Sequence, residues 1–260
     1  MDTTADKPPF APLVLAVDTS SASSSLAIAR GGQDIATIAV ANIRQHSQVI
    51  FDQLQMILAL SETGIEEIDL FAAINGPGSF TGLRIGLAAV QGLARTLKKP
   101  VVGISAFDAL AGDLDVARYV AALIDAGRGD VYLGLRMVDT QGMPRAVGAD
   151  FVGSLGAVLE AVRNRIGDGG KGVSLLGSGA ARYAAEILQF IEDEGVRTTG
   201  VESLDPPHGL WLMPPRQRFL AAWAARAAGN YLVSGDAGEL MPYYLKPSDA
   251  EAKWNMLLGQ

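Results

Sequence analysis

The sequence predicts an α/β protein whose strand-and-helix order is laid down twice. An apolar strand ending in aspartate, a polar turn, two further strand-like runs and a helix follow one another from Leu13, and the same order starts again at Tyr119. Hydrophobic residues make up 49% of the chain but aromatics only 7%, a balance that suits helices packed closely on sheets. With 260 residues there is length for a real core, in one large domain or two small ones. The halves share topology rather than residue identity.

The first twelve residues hold Asp2, Asp6, Lys7 and three prolines, and read as a flexible tail without the apolar centre of a signal peptide. Leu13 to Val17 is an apolar strand ending at Asp18, and Thr19 to Ser23 is a small polar turn. Ser25 to Arg30 alternates as a second strand, Gly31-Gly32 turns the chain, and Asp34 to Ala41 makes a third. Arg44 to Leu60 reads as a helix with a wide apolar set. Ile50, Leu54, Ile57 and Leu58 lie on one side, with Val49, Met56 and Leu60 beside them. Gly64 ends it.

Leu70 to Ile74 is the next strand, and it leads into the most distinctive stretch of the chain, Asn75-Gly76-Pro77-Gly78-Ser79-Phe80-Thr81-Gly82-Leu83-Arg84-Ile85-Gly86. Gly-Pro-Gly forces a tight turn, and Ser79 is placed to cap a helix that reaches Lys98. Leu83, Leu87, Val90, Ala94 and Leu97 recur at helical spacing as a buried stripe. Lys98 and Lys99 suit the negative end of the helix dipole, and Pro100 stops it. On another face Gly82, Gly86 and Ala89 fall in line. A glycine inside a helix costs about 1 kcal/mol relative to alanine, so two of them imply close approach of another backbone or a ligand. Val101 to Ile104 and a short helix from Ser105 complete this half.

In the second half Tyr119 to Ile124 is a strand ending at Asp125, followed by the turn Ala126-Gly127-Arg128-Gly129. Val131 to Val138 is a second strand, Gln141-Gly142 turns, and a third runs through Ala146 to Val152. Ser154 caps a helix to Ile166. Strand Val173 to Leu176, the loop Gly177-Ser178-Gly179 and helix Ala180 to Glu192 follow, and Gln217 to Leu232 is a final helix.

The run from Gly76 to Gly86 resembles the signature of the bacterial TsaB (YeaZ) family, non-catalytic partners in making threonylcarbamoyladenosine on tRNA. Ile124-Asp125-Ala126 with Asp130-Val131-Tyr132, and Pro242-Tyr243-Tyr244-Leu245-Lys246, are further pieces of a likeness that covers nearly all of Leu13 to Lys246. The duplicated order in turn resembles the actin, sugar-kinase and Hsp70 superfamily, in which two RNase H-like halves face each other across a nucleotide cleft. The resemblance implies two actin-like subdomains: residues 13–112 joined by a C-terminal helix at 214–234, and residues 113–213. A tail at 1–12 and a closing segment at 235–260 lie outside them. In that superfamily the first turn of each half addresses phosphates and metal. Here those turns are Asp18-Thr19-Ser20 and Asp125, with Gly177-Ser178-Gly179 at the place of the adenosine loop. On the residues alone, a polar hairpin turn is the preferred reading of Asp18 to Ser20, since Asp and Ser are common in turns.

Several chemistries are disfavoured. Without cysteine there are no disulfides, thiolate metal sites or cysteine nucleophiles. The net charge of -7, with no clustered Lys and Arg, argues against gripping nucleic acid unaided. No apolar run approaches the roughly 20 residues of a membrane helix. The two histidines, His46 and His208, are far apart, and no serine sits in a Gly-x-Ser-x-Gly elbow. The catalytic TsaD relative carries a His-x-x-x-His metal motif; aligned through Pro100-Val101-Val102-Gly103, its histidines would fall at Ala106 and Leu110. That departure disfavours both transferase chemistry and a metallopeptidase.

The resemblance therefore implies a cytoplasmic, non-catalytic subunit that activates TsaD in modifying adenosine 37 of ANN-decoding tRNAs. It also implies a TsaE-type P-loop ATPase and the enzyme making threonylcarbamoyl-adenylate as further partners, with tRNA reached only through the complex. No metal or cofactor is expected of the chain alone, and ATP or ADP only within the complex. An autonomous ATP-dependent small-molecule kinase of the same fold is the first alternative, and an M22-type metallopeptidase, disfavoured by the histidine count, the second. The expected partner surface is Ile50, Leu54 and Ile57 on one helix with Gly82, Arg84, Gly86 and Ala89 on the next, which would close a two-fold homodimer when the partner is absent. Burial of both helices within the monomer is the competing reading.

Overall fold

The computed structural model of the chain describes residues 11–41, 46–114, 118–166, 172–193, 209–212, 218–232 and 240–246. In chain order the elements begin with strands β1 (Leu13–Asp18), β2 (Ser24–Arg30) and β3 (Gln33–Val40), then helix α1 (His46–Leu60) and a 3₁₀ turn at Ile65–Glu67. Next come β4 (Leu70–Gly76), α2 (Phe80–Leu97), β5 (Val101–Ser105) and α3 (Ala106–Gly112). Then follow β6 (Tyr119–Gly127), β7 (Asp130–Val138), β8 (Pro144–Ala146), β9 (Phe151–Ser154) and α4 (Leu155–Ile166). The chain continues through β10 (Gly172–Leu176), α5 (Ser178–Arg182), α6 (Ala184–Asp193), β11 (Gly209–Leu212) and α7 (Leu220–Leu232).

These elements form two compact units. The first comprises Met1–Asn75, Thr81–Ile104 and Phe219–Met241; the second comprises Gly76–Phe80, Ser105–Arg218 and Pro242–Gln260. The first sheet runs β3-β2-β1-β4-β5, with β1–β2 and β2–β3 antiparallel and β1–β4 parallel. The second runs β11-β10-β6-β7-β8, with β6–β7 and β7–β8 antiparallel and β6–β10 and β10–β11 parallel. The second sheet has a sixth strand, β9, which also pairs with β7; with β8 and β9 taken as two parts of one strand, each sheet has the order third, second, first, fourth, fifth within its own unit. The duplication read from the sequence is a duplication of sheet topology, and the fold is actin-like, built of two RNase H-like units.

In the first unit the side-chain alternation of the strands splits the sheet into two faces. Leu15, Val17, Leu26, Ile28 and Phe71 form one core with Ile50 and Ile57 of α1 and Leu83, Leu87, Val90 and Ala94 of α2. The alternate positions Ala16, Ala27 and Ala29 are small and buried. They suit the opposite face, where α7 packs on β1, β2 and β3 with its own buried Ala221, Ala224, Ala225 and Ala228. Small side chains on both surfaces let the α7 backbone lie close. Coverage of both faces explains why β1 is buried along its whole length and reads as an unbroken apolar run.

In the second unit Leu123, Leu133, Leu135 and Leu175 pack with Val158, Leu159 and Val162 of α4 and Ile187 and Ile191 of α6. Ser154 caps α4, accepting from the Ala157 N–H at 3.4 Å, and Ser105 caps α3, accepting from the Phe107 N–H at 3.2 Å. The first unit closes at Ile104, not at residue 112 as expected, because α3 packs on β6 and β7. Phe107 lies over Gly134, where a Cβ would stand 2.2 Å from its ring.

Other differences are local. The third strand of this half divides into β8 and β9, both pairing with β7, around a left-handed Gly148 at φ +78°. The expected helix 180–192 breaks at Tyr183, whose φ of -106° and ψ of 29° separate α5 from α6. β11 and the 3₁₀ turn were not anticipated. The tail 1–10, His208, and residues 213–217, 233–239 and 247–260 lie outside the described residues, as does the expected helix start at Arg44. Among the described residues no helix is long and apolar enough to cross a membrane.

Candidate functional site

The turn after β1 is folded in on itself. Asp18, Thr19 and Ser20 are all buried. Asp18 Oδ1 accepts from the Ser20 N–H at 2.9 Å and from the Ser20 hydroxyl at 2.7 Å, an arrangement that closes the turn locally. Thr19 Oγ1 donates to the carbonyl of Gly82 in α2 at 2.7 Å. A Cβ on Gly86 would stand 2.3 Å from that same hydroxyl oxygen. Gly82 and Gly86 therefore admit the Thr19 side chain against α2. The two glycines were expected to admit another backbone or a ligand; what lies against them is the side chain of Thr19 in this same chain. Below the turn, the Ser24 hydroxyl donates to Gln53 Oε1 of α1 at 2.6 Å in a buried contact that the sequence did not suggest.

The turn after β6 is held differently. Asp125 Oδ1 accepts from the Gly127 N–H at 3.0 Å, and Oδ2 receives Arg182 Nη1 at 2.6 Å. The hydrogen bond to Asp125 and its charge raise the Arg182 pKa above its ordinary value. Ser178 Oγ accepts from the Asp125 N–H at 3.1 Å. Gly177 has φ +105°, and a Cβ there would meet the Leu123 carbonyl oxygen at 2.3 Å. Only glycine fits that position. The fold thus brings Asp125, Gly177, Ser178 and Gly179 together as the sequence grouped them, and adds Arg182, which spacing alone did not single out. Both carboxylate oxygens of Asp125 are engaged within the unit. Among the described residues no three of His, Cys, Asp or Glu gather where they could hold a metal ion. Ala106 and Leu110, the positions aligned with metal-ligand histidines, are buried on α3.

The helix surface expected to meet a partner is redistributed. Ile50 at 3% exposure and Ile57 at 0% belong to the core of the first unit, and Leu54 packs against it. Gly82 and Gly86 are buried under Thr19, so neither forms an open notch. Arg84 is exposed and Ala89 half-buried. The apolar surface that remains outward on α1 is the neighbouring stripe, Met56 at 55% and Leu60 at 71% exposed with half-buried Val49, and Phe51 at 54% on the other flank. On α2 the glycine with open space is Gly92, where a Cβ would meet nothing within 4 Å. With Ala88 one turn before it, this makes a shallow, small-residue strip beside Arg84. Helical periodicity showed two adjacent apolar stripes on α1 but could not tell which one faces the sheet.

Of the remaining family-like pieces, Tyr243 reaches a carboxylate that also holds a buried arginine in the second unit. Arg136 Nε bonds Asp108 Oδ1 at 2.5 Å, and its two terminal nitrogens bond the Asp150 oxygens at 2.7 and 3.2 Å. Its guanidinium also lies 5.3 Å over the Phe107 ring. Burial alone would lower the Arg136 pKa, but the hydrogen bonds and charges of Asp150 and Asp108 outweigh it and raise it. The Tyr243 hydroxyl donates to Asp150 Oδ2 at 2.9 Å, and burial together with that carboxylate pushes its pKa up to about 12. Lys246 Nζ bonds Asp130 Oδ2 at 2.7 Å, and the Tyr244 ring stacks on Phe80 at 5.2 Å.

Two sheets of one strand order define an actin-like α/β protein in which Asp18 ends the leading strand of the first, while Asp125 lies inside β6, which runs two residues past the expected end to Gly127. Both carboxylates are tied up internally. The model of tRNA N6-adenosine threonylcarbamoyltransferase, TsaD, matches residues 38–161. The chain is 36% identical to the tRNA threonylcarbamoyladenosine biosynthesis protein TsaB of Escherichia coli over 133 residues, 50% of this chain and 57% of that protein. It is 28% identical to the TsaB of Bacillus subtilis over 93% of this chain and 97% of that one. The match to the Escherichia coli and Haemophilus influenzae proteins thus spans only 57% and 51% of their lengths. Among solved structures, YeaZ from Pseudomonas aeruginosa superposes with a TM-score of 0.68 at 25% identity, covering 90% of this chain and 100% of that chain. A second Pseudomonas aeruginosa structure, described as similar to peptidase YEAZ, gives 0.71 at 26% identity with the same coverage. The chain is thus similar to proteins of the TsaB (YeaZ) family.

Proposed function

We propose that this protein is a cytoplasmic, non-catalytic activating subunit in the formation of N6-threonylcarbamoyladenosine on tRNA, working by pairing with its catalytic TsaD paralogue. The observation that carries the reading is the exposed surface of α1 and α2 in the first unit. Met56 and Leu60 stand outward beside a stripe that is already buried, and Arg84, Ala88 and Gly92 offer an adjoining strip of low relief. A helix apolar on two adjacent stripes satisfies one against its sheet and leaves the other for a partner helix. Small residues on α2 let that partner come close. Similarity to proteins named for threonylcarbamoyladenosine biosynthesis, and to the transferase model itself, supports a paralogue as that partner.

A non-catalytic role is supported by Ala106 and Leu110 in place of ligand histidines, and by first turns whose polar groups bond each other or the adjacent helices. The same bonds disfavour an autonomous kinase, which needs those groups for phosphate and metal. The test is reconstitution with the TsaD paralogue, a TsaE-type ATPase, the adenylate-forming enzyme and tRNA of the same source. Modification should need both paralogues, and pairing should fail when Met56 and Leu60 are changed to aspartate. Modification by this chain without TsaD would overturn the reading.

A further inference from the structure

Pro242 to Lys246 is a stretch of irregular backbone whose side chains reach three separate places in the second unit. Tyr243 donates to Asp150, which immediately precedes β9 and already receives Arg136 on both oxygens. Tyr244 stacks on Phe80, the first residue of α2 and the end of the Gly76–Phe80 turn, with rings inclined at 30°. Lys246 bonds Asp130, the first residue of β7 at the β6–β7 turn. The contacts are directional: two hydrogen bonds to carboxylates and one ring stack. Tyr244 is 39% exposed, so the stack fixes position more than it fills a core. Turns and helix starts are where local opening is easiest, and ties at such points govern it.

We propose that Pro242–Lys246 is a positioning strap, which holds the Gly76–Phe80 turn, the β6–β7 turn and the approach to β9 in fixed register and thereby sets the start of α2. Tyr244 and Lys246 are then positioning residues. The consequence for partner pairing rests on the reading that α2 faces the partner.

Hydrogen exchange on the full, partner-free chain tests the strap without using that reading. In Tyr244→Ala, amides of residues 76–82 should exchange about tenfold faster while those of β1 and β2 keep their rates. Lys246→Met should do the same for residues 125–130. Tyr244→Leu keeps an apolar side chain without the stack, and serves if the alanine variant folds poorly. Unchanged exchange at 76–82, or a uniform rise at every amide, would overturn the proposal, the second because it marks general destabilisation. A local rise accompanied by unchanged pairing with TsaD would uphold the strap and remove α2 from the interface.

Discussion

Two glycines of α2 should respond in opposite ways to the same added methyl group. Gly92 has open space where a Cβ would stand, so Gly92→Ala gains helix propensity of about 1 kcal/mol and little else. Gly86→Ala makes the same gain but sets its Cβ 2.3 Å from Thr19 Oγ1. Thr19 is 2% exposed, so it has no room to swing away. It must give up the 2.7 Å hydrogen bond to Gly82, worth about 1 kcal/mol, and overpacking adds about 1–3 kcal/mol. The net for Gly86→Ala is a loss of about 1–3 kcal/mol, which at about 2–4 °C per kcal/mol separates the two variants clearly in a melting experiment. Thr19→Ala removes the obstructing oxygen and leaves Gly86 free to accept a methyl. In that background Gly86→Ala should become neutral or stabilising, giving a coupling of at least about 1 kcal/mol between the sites. Urea denaturation of the four proteins of the cycle measures it. If Gly86→Ala raises stability as much as Gly92→Ala, or if Thr19→Ala leaves its effect unchanged, Thr19 is not what these glycines accommodate.

Arg136→Leu should cost about 3–5 kcal/mol, because Asp108 and Asp150 are left as uncompensated partly buried charges; loss of soluble protein or a collapsed melting temperature would register it. Arg182→Ala should leave the melting temperature almost unaltered, since the arginine side chain is 55% exposed, and calorimetric titration should then show whether Asp125 acquires any affinity for Mg²⁺. The raised Tyr243 pKa implies a stability contribution present below the unfolded value of 10.0 and lost as the pH climbs towards about 12. Melting curves from pH 9 to 12 should therefore fall less steeply for Tyr243→Phe than for the parent protein.

What was legible in the sequence is what periodicity and turn chemistry report directly. The apolar runs at Leu13–Asp18 and Tyr119–Gly127, each carrying an aspartate at or near its end, gave away the duplicated sheet. Ser105 and Ser154 marked helix starts through an ordinary side-chain cap. The glycines of α2 announced a close contact but not its direction, because spacing along one helix carries no information about which neighbour arrives. The same limit applies to α1, where Ile50 and Ile57 turned inward and Met56 and Leu60 outward. Arg182, Arg136 and Gln53 were invisible for a further reason. Their partners Asp125, Asp108 with Asp150, and Ser24 lie 57, 28 with 14, and 29 residues away, and only the folded sheets bring them together.

The central claim is activation of a catalytic paralogue through the outward stripe of α1. The most direct measurement is the rate of threonylcarbamoyladenosine formation in the reconstituted system with wild-type protein and with Met56→Asp/Leu60→Asp, whose native folding is checked by circular dichroism. The expected result is full modification with the wild type, none without it, and at least about a tenfold loss of rate with the variant that more variant protein partly restores. An undiminished rate with the well-folded variant, together with unchanged pairing to TsaD, would contradict the claim.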